Sequence, residues 1–234
     1  MYEITYDNTS LSTFHTYMAD CSKHDGPRRN VTSKKVPGRN GELTLDNGCF
    51  ENYEYTINAY TDASPLENLQ SLKGFLLSVP GYRRLEDSMH PNTFLMARFH
   101  GPFTVKSSDR SGAILDLRFD CMPQRFLTSG EAWVSCSNNG YLVNPTYFTA
   151  KPLIRVYGTG NLYVGSYAIT INTMYGTYTD IDCESMEAFY GSVSCNQLIT
   201  LQGNSFPVLL PGQNGIHWTG SISRVDIMPR WWEV

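Results

Sequence analysis

The sequence predicts a mainly β protein with two domains and one α-helix. Apolar and polar residues alternate in short stretches along most of the 234 residues, a period that is typical of half-buried strands. The dipeptide Asn-Gly, which tolerates the positive φ values of tight hairpin turns, occurs at 40–41, 47–48, 139–140 and 214–215. Only the stretch that follows Ser64 has a helical pattern. Together these features favour β-sandwich-like domains, the first of which carries a helix and a protruding β-hairpin.

The composition excludes several classes of protein. The chain is 41% hydrophobic and 17% charged, with a net charge of −4, and its pI of about 5.7 argues against general nucleic-acid binding. We expect no signal peptide at the start, and no apolar run is long enough to span a bilayer. The six cysteines are scattered without close pairs, so we expect them to be reduced, buried side chains.

A basic segment precedes the first hairpin. Residues 23–39 hold six basic residues against the single acid Asp25, a net charge of +5, whereas the rest of the chain sums to −9. One interpretation is a solvated basic loop. The other is a contact for an acidic neighbour, a like subunit or passing nucleic acid. The candidate contact residues are Arg28, Arg29, Lys34, Lys35, Arg39, Asn40 and Gly41.

The hairpin itself is predicted from turn chemistry. Pro37 and Gly38 form a bend, and Asn40-Gly41 suits a tight turn. We expect two strands, at about 42–46 and 50–60, joined at Asn47-Gly48. In the second of them, alternate residues from Tyr53 to Ala59 share one face.

Three signals mark the start of the helix. Ser64 suits the N-cap, Pro65 suits the first helical position, and Glu67 completes a capping box. The apolar stripe that follows is Leu66, Leu69, Leu72, Phe75 and Leu76, and Pro80-Gly81 ends it. We expect this helix to lie on a sheet.

Further strands are predicted on both sides of a domain boundary. In the first half they lie near 82–85, 93–99, 103–105 and 113–121. The boundary is placed in 136–146, between an N-terminal domain at 1–135 and a C-terminal domain at 146–234. Residues 229–234 could belong to either domain. Strands in the second half are expected near 152–157, 162–164, 167–172, 178–183, 193–200, 206–210, 215–218 and 222–228. Their close spacing indicates a compact β-sandwich or jelly-roll.

No constellation of residues points to enzyme chemistry, a metal or a cofactor. Cys21 and His24 have zinc-like spacing, but no second pair with that spacing follows. Asp116 and Asp120 lie on one strand face, too far apart for a glycosidase pair. Asp180, Asp182 and Glu184 alternate along one strand and could bind calcium, although a solvated face is the favoured interpretation.

The tryptophans raise the possibility of carbohydrate binding. Aromatic rings on β-sandwiches commonly stack on sugars, and Trp218 is the candidate for this role. Trp231 and Trp232 are adjacent on a strand, so they point to opposite faces, which favours a clamp that ties the end of the chain to a domain.

The order of the motifs resembles that of the distal tail proteins of long-tailed phages and prophages of Gram-positive bacteria. The resemblance covers nearly the whole chain and depends on the shared order and spacing of the motifs. The matching segments are the start of the chain through 11–14, then 36–41, 48–54, 81–87 after the helix, 152–161, 181–184, 206–214 and 229–232.

This resemblance implies a structural hub. The N-terminal domain would form a hexameric ring around the DNA channel at the tail tip, and the C-terminal domain would be a galectin-like (jelly-roll) β-sandwich that projects outward. Expected partners are like subunits, the major tail protein, a tail-associated lysin or fibre protein and, in some phages, receptor-binding proteins. DNA would only pass through. The protein would be made and assembled in the host cytoplasm and reside in the virion. The alternative is a carbohydrate-binding module that contacts cell-wall glycans.

Overall fold

The computed structural model describes residues 2–21, 25–62 and 65–234, with the side chains of Pro65 and Leu66 left out. Contacts between Cα atoms divide the chain into two units. The first contains the residues up to Arg125 together with Val234, and the second is Phe126–Glu233. Within the described part of the chain the fold is mainly β with one α-helix, which confirms the predicted fold class. That helix is not long and apolar enough to cross a membrane.

Ten strands and the helix begin in the described part of the first unit. The strands are β1 (Ile4–Tyr6), β2 (Thr9–Ser10), β3 (Thr16–Cys21), β4 (Arg29–Lys35), β5 (Glu42–Phe50), β6 (Tyr53–Thr61), β7 (Arg83–Asp87), β8 (Thr93–Arg98), β9 (Thr104–Ser108) and β10 (Ala113–Leu127). The helix is α1 (Pro65–Ser78).

The main sheet of this unit has the strand order β2-β1-β7-β8-β10-β6-β3, and β9 also pairs with β10. The predicted alternations are confirmed. Alternate residues of β6, such as Tyr55 and Ile57, are buried, and so are Leu115 and Phe119 of β10. Because strand side chains point alternately to the two faces, this pattern places the core on one side of both central strands.

The helix packs its predicted stripe on this core. Leu72 and Leu76 are fully buried, and the ring of Phe75 stacks on Phe14 with centroids 5.4 Å apart. The proposed N-cap, Ser64, lies outside the described residues. The helix ends at Ser78, two residues before Pro80, because a proline disfavours helical backbone in the residue before it.

The second unit contains the remaining strands and no α-helix. They are β11 (Val134–Cys136), β12 (Gly140–Asn144), β13 (Leu153–Tyr157), β14 (Gly160–Val164), β15 (Tyr167–Ile171), β16 (Thr179–Asp182), β17 (Glu187–Tyr190), β18 (Val193–Ser194), β19 (Ile199–Leu201), β20 (Gly212–Gly220), β21 (Arg224–Met228) and β22 (Trp232–Glu233).

Most of these strands form two antiparallel sheets that share one core. A six-stranded sheet has the order β11-β21-β13-β16-β17-β18, and a five-stranded sheet has the order β12-β20-β14-β15-β19. Their core includes Ile154, Leu162, Ile181 and Ile227, all fully buried. The second unit is therefore a β-sandwich.

The units divide between Arg125 and Phe126, upstream of the boundary that the sequence predicts at 136–146. The reason lies in strand pairing. Val134–Cys136 pairs with β21 and Gly140–Asn144 pairs with β20, so both flanks of the predicted boundary are strands of the second unit. The stretch 123–145 has weak sequence alternation, so its pattern does not predict these two strands.

Three other predictions about strands are corrected. The segments 42–46 and 50–60 do not form a hairpin: β5 pairs with β4, and Asn47-Gly48 lies inside β5. Gly48 has φ of +73°, and its N–H donates to the Asp46 carboxylate at 2.8 Å, so this Asn-Gly forms an irregularity within a strand. Residues 206–210 contribute a single bridge, Ala150 to Leu209. The strand expected at 193–200 is split by a short 3-10 turn.

Candidate functional site

The candidate site is the ribbon formed by β4, β5 and the turn between them. These two strands form a sheet of their own, and apart from the half-buried Asn30 and Phe50 their residues are all exposed. A two-stranded ribbon without a further layer is at best marginally stable in water. This ribbon therefore has the properties of a segment that is completed by another surface.

The turn at the tip follows the predicted chemistry. Gly38 and Gly41 have φ of +79° and +82°, values that residues with a Cβ atom rarely adopt. The Arg39 N–H donates to the Val36 carbonyl oxygen at 3.2 Å. Arg39 and Asn40 thus lie at the exposed end of the ribbon between these two glycines.

The strand register separates two faces of the ribbon. Residues directly opposite each other share a face, so Thr32 lies beside Leu45 and Lys34 beside Leu43. Leu43 is 50% exposed and Leu45 is 65% exposed. Thr32, Lys34, Leu43 and Leu45 therefore share one face of the ribbon.

The opposite face carries charged side chains, most of which form ion pairs with each other. Lys35 lies opposite Glu42, 3.9 Å from its carboxylate. Arg29 Nε donates to Asp46 Oδ2 at 2.6 Å. That hydrogen bond, followed by the one from the Gly48 N–H, lowers the pKa of Asp46.

Three of the predicted contact residues keep an unbalanced charge. Arg28, Lys34 and Arg39 have no acidic partner among the residues that the structure describes. Arg29 and Lys35 are paired, and Asn40 and Gly41 shape the turn. Lys23, the first residue of the basic segment, lies outside the described residues.

The carboxylates considered for catalysis or calcium are held by cations or hydrogen-bond donors. Asp116 contacts Arg118 at 3.0 Å and Lys106 at 3.6 Å. Burial raises the pKa of Asp120, but hydrogen bonds from Tyr82, Arg98 and Asn52 outweigh it and leave that pKa below its usual value.

In the row Asp180, Asp182 and Glu184, only Glu184 is solvated as predicted, with 62% of its side chain exposed. Asp180 is only 4% exposed and binds Arg155 through two hydrogen bonds of 2.7 and 2.8 Å. Asp182 binds Arg230 in the same way at 2.7 and 3.0 Å. Two guanidinium groups thus occupy the positions that a cation would need.

Trp218 has a different environment from the one expected of a sugar platform. It lies opposite the fully buried Leu162 and packs against the core of the second unit. Its ring is therefore on the inner face of the five-stranded sheet. Trp231 is buried in the same core, and Trp232 stacks on Phe148 with centroids 4.5 Å apart, as expected of a terminal clamp.

The outer face of that five-stranded sheet has no formal charge. Its strands, β12, β14, β15, β19 and β20, contain no Asp, Glu, Lys or Arg. Tyr141 and Val143 are more than half exposed. Tyr163 and His217 stack with parallel rings 4.2 Å apart. We call this surface the neutral face.

The thiols are mostly as expected. All six cysteines are free, and four, including Cys121 and Cys183, are buried. Burial raises the pKa of Cys121 to about 12. Cys49 departs from the prediction because it is exposed, on the ribbon strand β5.

Comparisons with known proteins find the same architecture in phage adsorption machinery. No protein-family model and no curated protein matches the sequence. The crystal structure of phage SPP1 Dit, described as a paradigm of the hub of the adsorption apparatus in phages infecting Gram-positive bacteria, matches with a TM-score of 0.75 and 14% identity, over 97% of this chain and 98% of that one. Two structures of the phage P2 baseplate in its activated conformation, with Ca and with Sr, match with TM-scores of 0.52 and 0.53, each at 11% identity and over 97% of this chain and 96% of theirs. The chain therefore has the fold of these hub and baseplate proteins.

Proposed function

We propose that this chain is a distal tail protein, the structural hub at the tail tip of a long-tailed phage or prophage. The observation that carries the proposal is the match to the SPP1 hub protein across both units. A likeness over the whole chain supports the same kind of assembly more strongly than a likeness of one common β-sandwich would.

In this proposal the first unit assembles with like subunits into a hexameric ring through which DNA passes. The ribbon supports it, because its exposed strands need a covering surface. Arg28, Lys34 and Arg39 supply positive charge, and outside residues 23–39 the chain carries a net charge of −9. A second copy therefore carries, outside its own basic segment, a net charge of the opposite sign.

The remaining partners follow from the same proposal. The ring would join the major tail protein on one side to a tail-associated lysin or fibre protein on the other, and receptor-binding proteins would attach at its periphery. The protein would be assembled in the host cytoplasm and reside in the virion. Its role would be structural, without enzymatic activity.

A charge reversal at the tip of the ribbon tests the ring. We expect Arg39→Glu to weaken self-association by about tenfold or more, equivalent to about 1.4 kcal/mol, because an attraction becomes a repulsion. Light scattering at high protein concentration gives the mass, and electron micrographs show any ring. Arg110→Glu is the matched control, since Arg110 is exposed and precedes the end of β10 that pairs with Thr61, at the opposite end of β6 from the ribbon.

Two results would count against the proposal. A chain that stays monomeric at every concentration and with a tail-tube partner would contradict the hub function. A ring whose stability is the same for Arg39→Glu, Arg110→Glu and the unchanged protein would remove the ribbon from the interface.

The neutral face favours carbohydrate binding as a second candidate function. A surface of aromatic, amide and hydroxyl groups without ionic charge suits neutral sugars, which present C–H faces and hydroxyls. Titration with Gram-positive cell-wall polysaccharide while intrinsic fluorescence is recorded would test it. If the protein binds the polysaccharide, Tyr141→Ser should weaken that binding. The absence of any fluorescence response from the unchanged protein would rule out carbohydrate binding.

A further inference from the structure

A cluster of metal-binding side chains lies at one end of the main sheet of the first unit. Cys21 is the last residue of β3, Asp87 is the last residue of β7, and His90 lies in the turn that follows β7. One ligand atom from each lies within 4.8 Å of the others. We propose that Cys21, Asp87 and His90 bind a zinc ion.

The donor set is one that zinc takes in proteins. Thiolate sulfur, imidazole nitrogen and carboxylate oxygen are its usual ligands, at about 2.0–2.3 Å, so neighbouring donors in a tetrahedral site are about 3.3–3.6 Å apart. His90 Nδ1 is already 2.9 Å from Asp87 Oδ1 and 3.2 Å from Oδ2. Side-chain rotations that close the widest separation by about 1 Å would complete the site.

The cluster is sheltered from water, unlike an ordinary group of surface acids. Asp87 is 7% exposed and Cys21 is 9% exposed. The side chain of His90 is 21% exposed, which leaves a route for an ion to enter. Metal sites in proteins typically have mostly buried ligands, one of which is partly exposed to solvent.

Surrounding groups hold the carboxylate in place. Asp87 Oδ1 accepts the backbone N–H groups of Met89 at 3.0 Å and His90 at 2.9 Å. The Tyr55 hydroxyl donates to Oδ2 at 2.9 Å. Such hydrogen bonds orient metal ligands and raise affinity.

The same atoms also form a hydrogen-bond network without an ion, so binding must replace part of it. Zinc binding would remove the proton of the Cys21 thiol, which passes to solvent, and the imidazole would bind the metal through a ring nitrogen that carries no proton. No electron is transferred.

The charge of Arg125 and the thioether of Met89 both affect which metal ion the cluster binds. Arg125 lies 3.9 Å from Asp87 and already balances its charge, so zinc with the Cys21 thiolate leaves one excess positive charge. Met89 Sδ is 3.7 Å from Cys21 Sγ. Because thioethers favour copper(I), copper(I) is the ion that the experiment must separate from zinc.

The position of the cluster gives the ion a structural role. Cys21 ends β3, and Asp87 belongs to β7, a strand that does not pair with β3 in the sheet. A zinc ion would tie the end of β3 to the β7–β8 turn. The zinc-like spacing of Cys21 and His24 lacks a second pair in sequence, and the fold supplies Asp87 and His90 instead.

The test uses the full chain in a Cys49→Ser background, because the exposed Cys49 thiol would give its own cobalt signal. Cobalt(II) should bind once per chain with a thiolate-to-metal charge-transfer band, and zinc should displace it. Cys21→Ser should abolish the band, and His90→Gln should weaken zinc binding by more than tenfold. Tyr55→Phe, which removes the hydrogen bond to Asp87 and the 3.4 Å contact with His90 Nδ1, should weaken it by about 10–100-fold. Circular dichroism checks that each variant is folded.

Three outcomes would overturn the proposal. The first is the absence of a stoichiometric charge-transfer band in the Cys49→Ser protein. The second is a band that persists in folded Cys21→Ser. The third is tight copper(I) binding, lost in Met89→Leu, with no zinc binding, which would reject the zinc assignment.

Discussion

At the scale of single residues, Arg155 shows how the second unit keeps buried charge. Its guanidinium binds Asp180 through two hydrogen bonds and lies over the rings of Tyr178 at 4.1 Å and Trp133 at 4.8 Å. The hydrogen bond to Asp180 is the main cause that raises the pKa of Arg155. Breaking such a pair leaves a carboxylate in a site with little water.

We expect Arg155→Met to lower the free energy of unfolding by about 3 kcal/mol. This is the low end for a broken buried pair, because the Arg155 side chain is 28% exposed and water can partly reach Asp180. Urea denaturation measures the change. The control is Lys151→Met, whose pair with Glu184 is exposed on both sides and should cost less than about 1 kcal/mol. Equal losses of unfolding free energy in the two variants would show that the buried pair contributes no more to stability than the exposed pair.

At the scale of elements, the ribbon turn and the turn between β13 and β14 differ in what surrounds them. The ribbon turn is open, and a Cβ added at Gly38 or Gly41 would meet nothing within 4 Å. The turn between β13 and β14 is closed against a neighbouring strand. A Cβ at Gly160 would lie 2.1 Å from the Thr219 carbonyl oxygen, and the φ of Gly160 is +142°.

Gly160→Ala should therefore destabilise the second unit by about 2 kcal/mol or more, since backbone strain of this kind costs about 1–3 kcal/mol and the clash adds to it. Thermal unfolding followed by circular dichroism measures the loss. Gly215→Ala is the control, because it lies in β20, where a Cβ would meet nothing within 4 Å. If the two alanine variants unfold alike, the close approach at Gly160 is not important for stability.

At the scale of the whole molecule, the described residues form two hydrophobic cores. One is built on Leu115, Phe119 and Leu72, and the other on Ile154, Leu162 and Ile227. Chains with more than one core commonly depart from two-state unfolding.

We expect calorimetry to resolve two unfolding transitions. Leu115→Ala should lower the midpoint temperature of one transition, and Ile154→Ala should lower that of the other. Each substitution truncates a fully buried aliphatic side chain and should cost about 2–5 kcal/mol of unfolding free energy. Each variant serves as the control for the other. A single transition that both variants shift equally would show that the units unfold together.

The local hydrophobic pattern of the sequence is sufficient to predict buried positions where burial follows the period of a strand or a helix. The alternations in 53–60 and 113–121 and the stripe of α1 were predicted because each side chain's direction depends only on its place in a strand or helix. The turn at Gly38 and Gly41 was predicted because few residues adopt positive φ. The basic residues of the ribbon were visible as a charge imbalance.

Strand pairing, by contrast, was decided by the tertiary structure. The sequence predicts a turn at Asn47-Gly48, but β5 pairs with β4 across the turn at 36–41, and Asn47-Gly48 lies within the longer strand. Trp218 follows the alternation of β20, yet only the position of that strand in the sandwich turns its ring toward the core.

The sequence by itself therefore determined the β class, the single helix, the location of the charged turn and most core positions, since these depend on neighbours along the chain. Only the tertiary structure decided which distant groups meet. Asp180 reaches Arg155 across paired strands, and Cys21 meets Asp87 and His90 from elements far apart in sequence. Contacts of this kind depend on how sheets close and pack, which no local spacing of residues encodes.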